Sequence, residues 1–167
     1  MKDPAEGVEI VAAFVSPDSS VLGQDVGEWA GEQASGISFM TLGSKEGAKA
    51  LRRAELLLDL SSPEGLSAVV AQVERCPIPL VVGTTGLSSE EREALSTLAK
   101  RCPVVYAPNL SAGVNLLFYL SSLAARSLGE DYDAEILETH HKHKVDAPSG
   151  TAIRLAEEVA WARGDDP

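Results

Sequence analysis

Three short apolar runs separated by helical patterns constrain this chain more than any other feature. Residues 56–60, 79–82 and 104–107 are each too short for a helix and suit buried strands. Between them lie two amphipathic patterns: 63–75 with apolar Leu66, Val69, Val70 and Val73, and 88–101 with Leu95, Leu98 and Ala99. Strand alternating with helix implies parallel pairing, because a crossover helix returns the chain to the same sheet edge in the same direction. An earlier run, 8–14 (VEIVAAF), has the same character and is expected to be a strand buried on both faces.

Both helix starts are marked locally. Ser62-Pro63-Glu64 places a capping hydroxyl before proline at the first helical position, and Ser88-Ser89-Glu90-Glu91 offers a serine cap with a glutamate three residues on. Cys76 and Cys102 each stand in an Arg-Cys-Pro step at the entrance to an expected strand. Their spacing fits no metal motif, so they read as reduced structural thiols.

Beyond Asn109 the pattern changes. Residues 111–128 read as one long helix, 129–133 as a turn, 134–139 (AEILET) as an alternating strand, and 150–163 as a closing amphipathic helix. A boundary near 108–112 divides the chain into 1–109 and 110–167. With 44% hydrophobic residues, 167 residues have room for a substantial core. No apolar run reaches the ~18 to 20 residues of a membrane span, and no secretory leader is recognisable, so a cytoplasmic location is the default expectation. A net charge of -11 opposes generic binding to nucleic acid or to an anionic membrane.

Against that acidic background one cationic cluster stands out. All three histidines fall within Glu138-Thr139-His140-His141-Lys142-His143-Lys144, joined by two lysines. The following Val145-Asp146-Ala147-Pro148-Ser149-Gly150-Thr151 forms a turn into the last helix, with Ser149 as cap and unpaired amides expected at Gly150, Thr151 and Ala152. Helix N-termini bind carboxylates through such amides, and glycine at 150 permits close approach. Histidine, lysine and an amide nest together can clamp a small anion and deliver a proton near neutral pH. Two other readings stay open: a solvated basic strand end with an ordinary capped helix, and a metal site, against which the interleaved lysines argue.

The run from Glu138 to Ala152 resembles the signature of the dihydrodipicolinate reductases. Val82-Gly83-Thr84-Thr85-Gly86 is similar to that family's nicotinamide-side loop, and Ala107-Pro108-Asn109-Leu110-Ser111-Ala112-Gly113-Val114-Asn115 to its interdomain stretch. Asp59-Leu60-Ser61-Ser62-Pro63-Glu64-Gly65 and the segment from Leu22 to Gly31 also agree. The resemblance implies reduction of 4-hydroxy-tetrahydrodipicolinate, a cyclic dicarboxylate, to tetrahydrodipicolinate with NADPH or NADH in the cytoplasm, by a homotetramer. It implies His140 as proton donor and acceptor, Lys144 as second acid-base group, and His141, Gly150 and Thr151 as substrate contacts. Gly83, Thr84 and Thr85 line the nicotinamide by the same reasoning, together with Ala107, Pro108, Asn109 and Leu110; no metal is implied.

Three departures qualify the match. No G-x-G-x-x-G occurs, and where the family places an acidic residue to read the adenosine ribose this chain has Val15 and Ser16. The family also continues for about a hundred residues more, completing a sheet that builds its tetramer. The expected fold is therefore α/β: a partial doubly wound, Rossmann-like parallel sheet lacking its first strand and glycine-rich loop, then an incomplete α+β substrate domain. The alternative function is a non-catalytic fragment or paralogue that binds a small dicarboxylate.

Overall fold

A computed structural model describes residues 2–3, 7–142 and 147–166, and divides the chain into two compact units, Met1–Tyr106 and Ala107–Pro167. The first unit is organised around a parallel sheet of sequential order formed by β5 (Leu57–Asp59), β6 (Leu80–Val82) and β7 (Val104–Tyr106). Their register aligns Leu57 with Leu80 and Leu80 with Val104, then Asp59 with Val82 and Val82 with Tyr106. Side chains alternate across a strand, so these rows share one face. That face meets α3 (Pro63–Arg75) and α4 (Ser89–Leu98), the two crossover helices.

The core follows from this pairing. Leu66 and Val73 of α3, Leu95 and Leu98 of α4, and Leu57, Leu80 and Val82 of the sheet form one buried cluster with Leu51, Ile78, Leu87 and Cys102. Burying a leucine or valine fully contributes about 1.5–3 kcal/mol, so these side chains dominate the unit's stability. On the opposite face Leu58 and Val105 are exposed. Both cysteines are free thiols; Cys76 is the C-cap of α3, and Cys102 is buried against the Leu98 carbonyl.

The caps form as their residues dictate. Ser62 accepts from the Gly65 amide, and Ser88 with Glu91 completes a reciprocal capping box. The helix expected over 88–101 ends at Leu98, where Ala99 is the C-cap.

The expected strand over 8–14 is corrected by the structure. It divides into β2 (Val8–Glu9), antiparallel to β1 (Lys2–Asp3), and β3 (Ala13–Phe14), parallel to β4 (Phe39–Met40). A strand persists only where a partner accepts its backbone groups, and here the partners differ at the two ends of the run. Val8, Ile10 and Val11 are exposed, so the run is not buried on both faces either.

Two short helices, α1 (Val26–Trp29) and α2 (Lys45–Leu51), precede β5. The loop around α1 closes on one carboxylate. Asp25 Oδ1 accepts from the amides of Gly27, Glu28 and Ser35 at 2.8, 3.1 and 2.9 Å, and Oδ2 accepts from Gly36 at 2.8 Å. Gly27 is required there, because a Cβ would stand 2.2 Å from the Gln33 carbonyl oxygen.

In the second unit α5 (Ala112–Leu128) packs along α6 (Gly150–Arg163), and a short 3-10 turn, Gly129–Asp131, follows α5. Arg163 Nη2 donates to the Tyr132 carbonyl at 2.5 Å, tying the end of α6 to the segment after that turn. The strand expected over 134–139 does not form. The segment is exposed throughout, Leu137 almost completely, and no strand lies beside it among the described residues of this unit. Alternating sequence cannot make a strand without a ladder partner.

Candidate functional site

The first unit offers a loop at the carboxyl end of its parallel strands, the edge where open α/β sheets bind ligands. β6 ends at Val82, and the Gly83 amide donates to the Asp59 carbonyl at 2.9 Å, carrying the pairing one residue past the strand. Thr84 is 3% exposed, and its hydroxyl donates to Asp59 Oδ2 at 2.6 Å. Ser61 Oγ donates to Asp59 Oδ1, also at 2.6 Å. The Asp59 carboxylate, itself 4% exposed, thus joins the loop after β5 to the loop after β6.

The three loop residues singled out in the sequence therefore differ in kind. Gly83 commits its amide to the Asp59 carbonyl, Thr84 is buried with its hydroxyl turned inward, and Thr85 is exposed, as is Gly86 beyond it. Gly86 has φ +75°, a conformation that glycine adopts without strain and that lets the chain turn into the α4 cap. Asp59 was not singled out as a site residue; a lone aspartate ending an apolar run, followed by Ser61 and Ser62, is the signal that marks it.

In the second unit the cluster centres on Glu138. Its Oε1 accepts from the Ser149 amide at 2.8 Å, and its Oε2 accepts from the Ser149 hydroxyl. Ser149 is buried and its Oγ accepts in turn from the Ala152 amide at 3.0 Å, the N-cap bond of α6. The expected free amide at Ala152 is therefore occupied by the cap. Among the described residues, the amides of Gly150 and Thr151 have no acceptor, as the first turn of a helix requires.

His140 Nδ1 lies 3.6 Å from the Glu138 oxygen that Ser149 Oγ contacts, with the imidazole 38% exposed. The proposed proton donor and the start of α6 thus share one carboxylate. His141 and Lys142 are exposed, and Lys144, with His143, lies outside the described residues.

Asn109 connects the other half of the unit to the same helix start. Its Nδ2 donates to Thr151 Oγ1 at 3.1 Å, its Oδ1 accepts from the Ser111 amide at 2.9 Å, and its carbonyl accepts from Asn115 Nδ2 at 3.0 Å. Asn109 and Thr151, read from the sequence as contacts to two different ligands, touch each other. Ala107, Pro108 and Leu110 are its chain neighbours, partly buried except for Leu110, which is exposed.

For a nicotinamide dinucleotide the residues present fit one side only. Thr85 and Gly86 offer an exposed turn at the strand ends. On the adenosine side, the Val15 amide is already bonded to the Met40 carbonyl, and the Val15 and Ser16 side chains bring no charge. Of the described helices none is long and apolar enough to cross a membrane.

Comparison with known proteins agrees with both units. Residues 1–110 match the family model described as dihydrodipicolinate reductase, N-terminus, and residues 113–166 the model described as dihydrodipicolinate reductase, C-terminus. The chain is 44% identical over 164 residues to the 4-hydroxy-tetrahydrodipicolinate reductase of Methylococcus capsulatus, covering 98% of this chain and 59% of that protein. It is 45% identical over 162 residues to the corresponding protein of Alkalilimnicola ehrlichii, again covering 59% of the relative. Among solved structures, the dipicolinate-bound dihydrodipicolinate reductase of Paenisporosarcina sp. TG-14 matches with TM-score 0.66 and 28% identity, over 95% of this chain and 58% of that one. The chain spans less than two thirds of the length of these relatives. The parallel α/β unit, the capped helix beside Glu138 and both family models agree, and the chain belongs to the dihydrodipicolinate reductase family.

Proposed function

We propose that this chain takes part in nicotinamide-dependent reduction of 4-hydroxy-tetrahydrodipicolinate, binding the cyclic dicarboxylate at the start of α6 and protonating it from His140. The observation that carries this reading is the Glu138 carboxylate, which holds Ser149 at the helix start and faces His140 Nδ1 at 3.6 Å. A substrate carboxylate finds the amides of Gly150 and Thr151, which have no acceptor among the described residues, within the favourable end of the helix dipole. Next to it stands the His140 imidazole, a group whose ring nitrogens can both donate and accept a proton.

In this reading residues 1–109 serve the dinucleotide and 110–167 the substrate. Gly83, Thr84 and Thr85 serve the nicotinamide, as do Ala107, Pro108, Asn109 and Leu110, and Asn109 also braces Thr151 at the substrate turn. Lys144 is the second acid-base group and His141 a substrate contact. NADPH or NADH supplies the hydride when bound. The dipicolinate held by the Paenisporosarcina relative is the kind of dicarboxylate this reading requires.

Purified chain mixed with NADPH or NADH and freshly generated substrate is expected to oxidise the nicotinamide, and His140→Gln to slow that oxidation at least 100-fold. Oxidation unaffected by His140→Gln overturns the role of His140. A second reading is favoured by Val15 and Ser16, which bring neither a charge nor a carboxylate to the adenosine side. It is a dicarboxylate-binding chain without turnover. Calorimetry separates the two: pyridine-2,6-dicarboxylate binding without NADPH or NADH binding supports the second, and micromolar nicotinamide binding removes it.

A further inference from the structure

We propose that Glu138 is the positioning residue for His140, fixing which imidazole nitrogen carries the proton while it anchors the first turn of α6. The inference rests on the proposed proton-donor role of His140 and deepens it. Its basis is the arrangement of donors around one carboxylate. Ser149 engages both oxygens, Oε1 through its amide and Oε2 through its hydroxyl, and Ser149 is itself buried and committed to the cap of α6. Two donors from one buried residue fix the plane and the rotation of the carboxylate. His140 Nδ1 stands 3.6 Å from Oε2, at ion-pair distance and just beyond hydrogen-bond length. Bonds of this kind are often long before ligand binds and tighten in the complex.

The chemical consequence follows from donor and acceptor identity. An ionised carboxylate only accepts, so the neutral imidazole beside it carries its hydrogen on Nδ1. Nε2 is then the nitrogen free to exchange a proton. In the charged imidazole the Nε2–H bond breaks, its electron pair stays on Nε2, the proton passes to the substrate, and Nδ1–H remains directed at Glu138. One side chain thereby sets both the protonating nitrogen and the amides that hold the substrate carboxylate.

A purely structural role for Glu138 is distinguishable, because glutamine preserves the shape and one acceptor. In Glu138→Gln the amide oxygen can still accept from the Ser149 amide, which turns the NH2 group toward His140. A donor facing Nδ1 disfavours hydrogen there. The test uses the whole chain labelled with 15N-histidine and long-range proton–nitrogen correlation spectra at about pH 8.5, above the ordinary imidazole pKa of ~6.5. The His140 signals are assigned by their loss in His140→Gln.

The expected result is an Nδ1–H tautomer in the wild-type chain that changes to Nε2–H in Glu138→Gln, with the two nitrogen resonances exchanging positions. An Nε2–H tautomer in the wild-type chain overturns the proposal, as does a tautomer identical in the two proteins. If Glu138→Gln does not fold, the wild-type spectrum alone decides. No cofactor or substrate is present, so this result is independent of turnover. Failure of the proposed function is read separately, as histidine resonances that do not move when pyridine-2,6-dicarboxylate is added.

Discussion

Asn109 Nδ2 donates to Thr151 Oγ1 at 3.1 Å, joining two residues 42 positions apart at the first turn of α6. The same asparagine accepts from the Ser111 amide at the start of α5. It thus couples the starts of the two long helices of its unit. Asn109→Ala is expected to destabilise that coupling by about 1–2 kcal/mol, measured by urea unfolding. It is also expected to weaken pyridine-2,6-dicarboxylate binding several-fold, measured by calorimetry.

Ser149 bears both the α6 cap and the Glu138 contact. Ser149→Ala removes the cap, a loss of about 1 kcal/mol, and also takes a donor from a carboxylate, so the total is expected nearer 2 kcal/mol. Ser149→Thr, which keeps a hydroxyl, is expected to recover most of that stability in the same urea series.

Asp59 is buried and accepts from Thr84 and Ser61. Asp59→Asn retains one acceptor and faces a hydroxyl with a donor, so a loss of about 1–3 kcal/mol is expected. Thr85→Ala, at an exposed position of the same loop, is expected to change the midpoint of thermal unfolding by less than about 2 °C. Equal destabilisation by the two substitutions contradicts the division of roles.

Asp25 shows a pH effect of known sign. Amide hydrogen bonds, that of Ser35 first, lower its pKa from 3.8 to about 2. The folded-state value lies below the unfolded one, so the contribution is complete above about pH 4 and is lost as pH falls through about 2. Asp25→Asn is expected to flatten that part of the stability curve, measured by urea unfolding at pH 5, 4 and 3.

Leu80 is 1% exposed at the centre of the sheet, among Leu57, Val82 and the two crossover helices. Leu80→Ala is expected to cost about 2–5 kcal/mol through lost burial and the cavity left behind. Leu58→Ala, on the exposed face of the neighbouring strand, is expected to cost under about 1 kcal/mol.

Where sequence and structure agree, the determinants are local. Pro63–Arg75 and Gly150–Arg163 form over the residues that periodicity and serine caps mark, because capping and amphipathic spacing act within a few residues. The central strands agree to within a residue or two at each end, since three apolar runs flanked by crossover helices admit parallel pairing only. The candidate site was legible as a list and not as an arrangement. His140, Gly150 and Thr151 stand out by type and spacing, whereas Glu138 and Asp59 do not, because their importance lies in which donors surround them.

By itself the sequence determined the α/β class, the four long helices and the serine caps of three of them, and the family, but not the short helices α1 and α2. These depend on short-range patterning and on a long motif. Tertiary structure decided what depends on partners distant in the chain. It split residues 8–14 between two strands, left 134–139 without a ladder, turned Thr84 inward onto Asp59, and closed the Ala152 amide with Ser149. It also set Glu138 against His140 and Ser149 together. A backbone or side-chain polar group is satisfied by whatever donor or acceptor folding brings within reach, and that identity is written only in three dimensions.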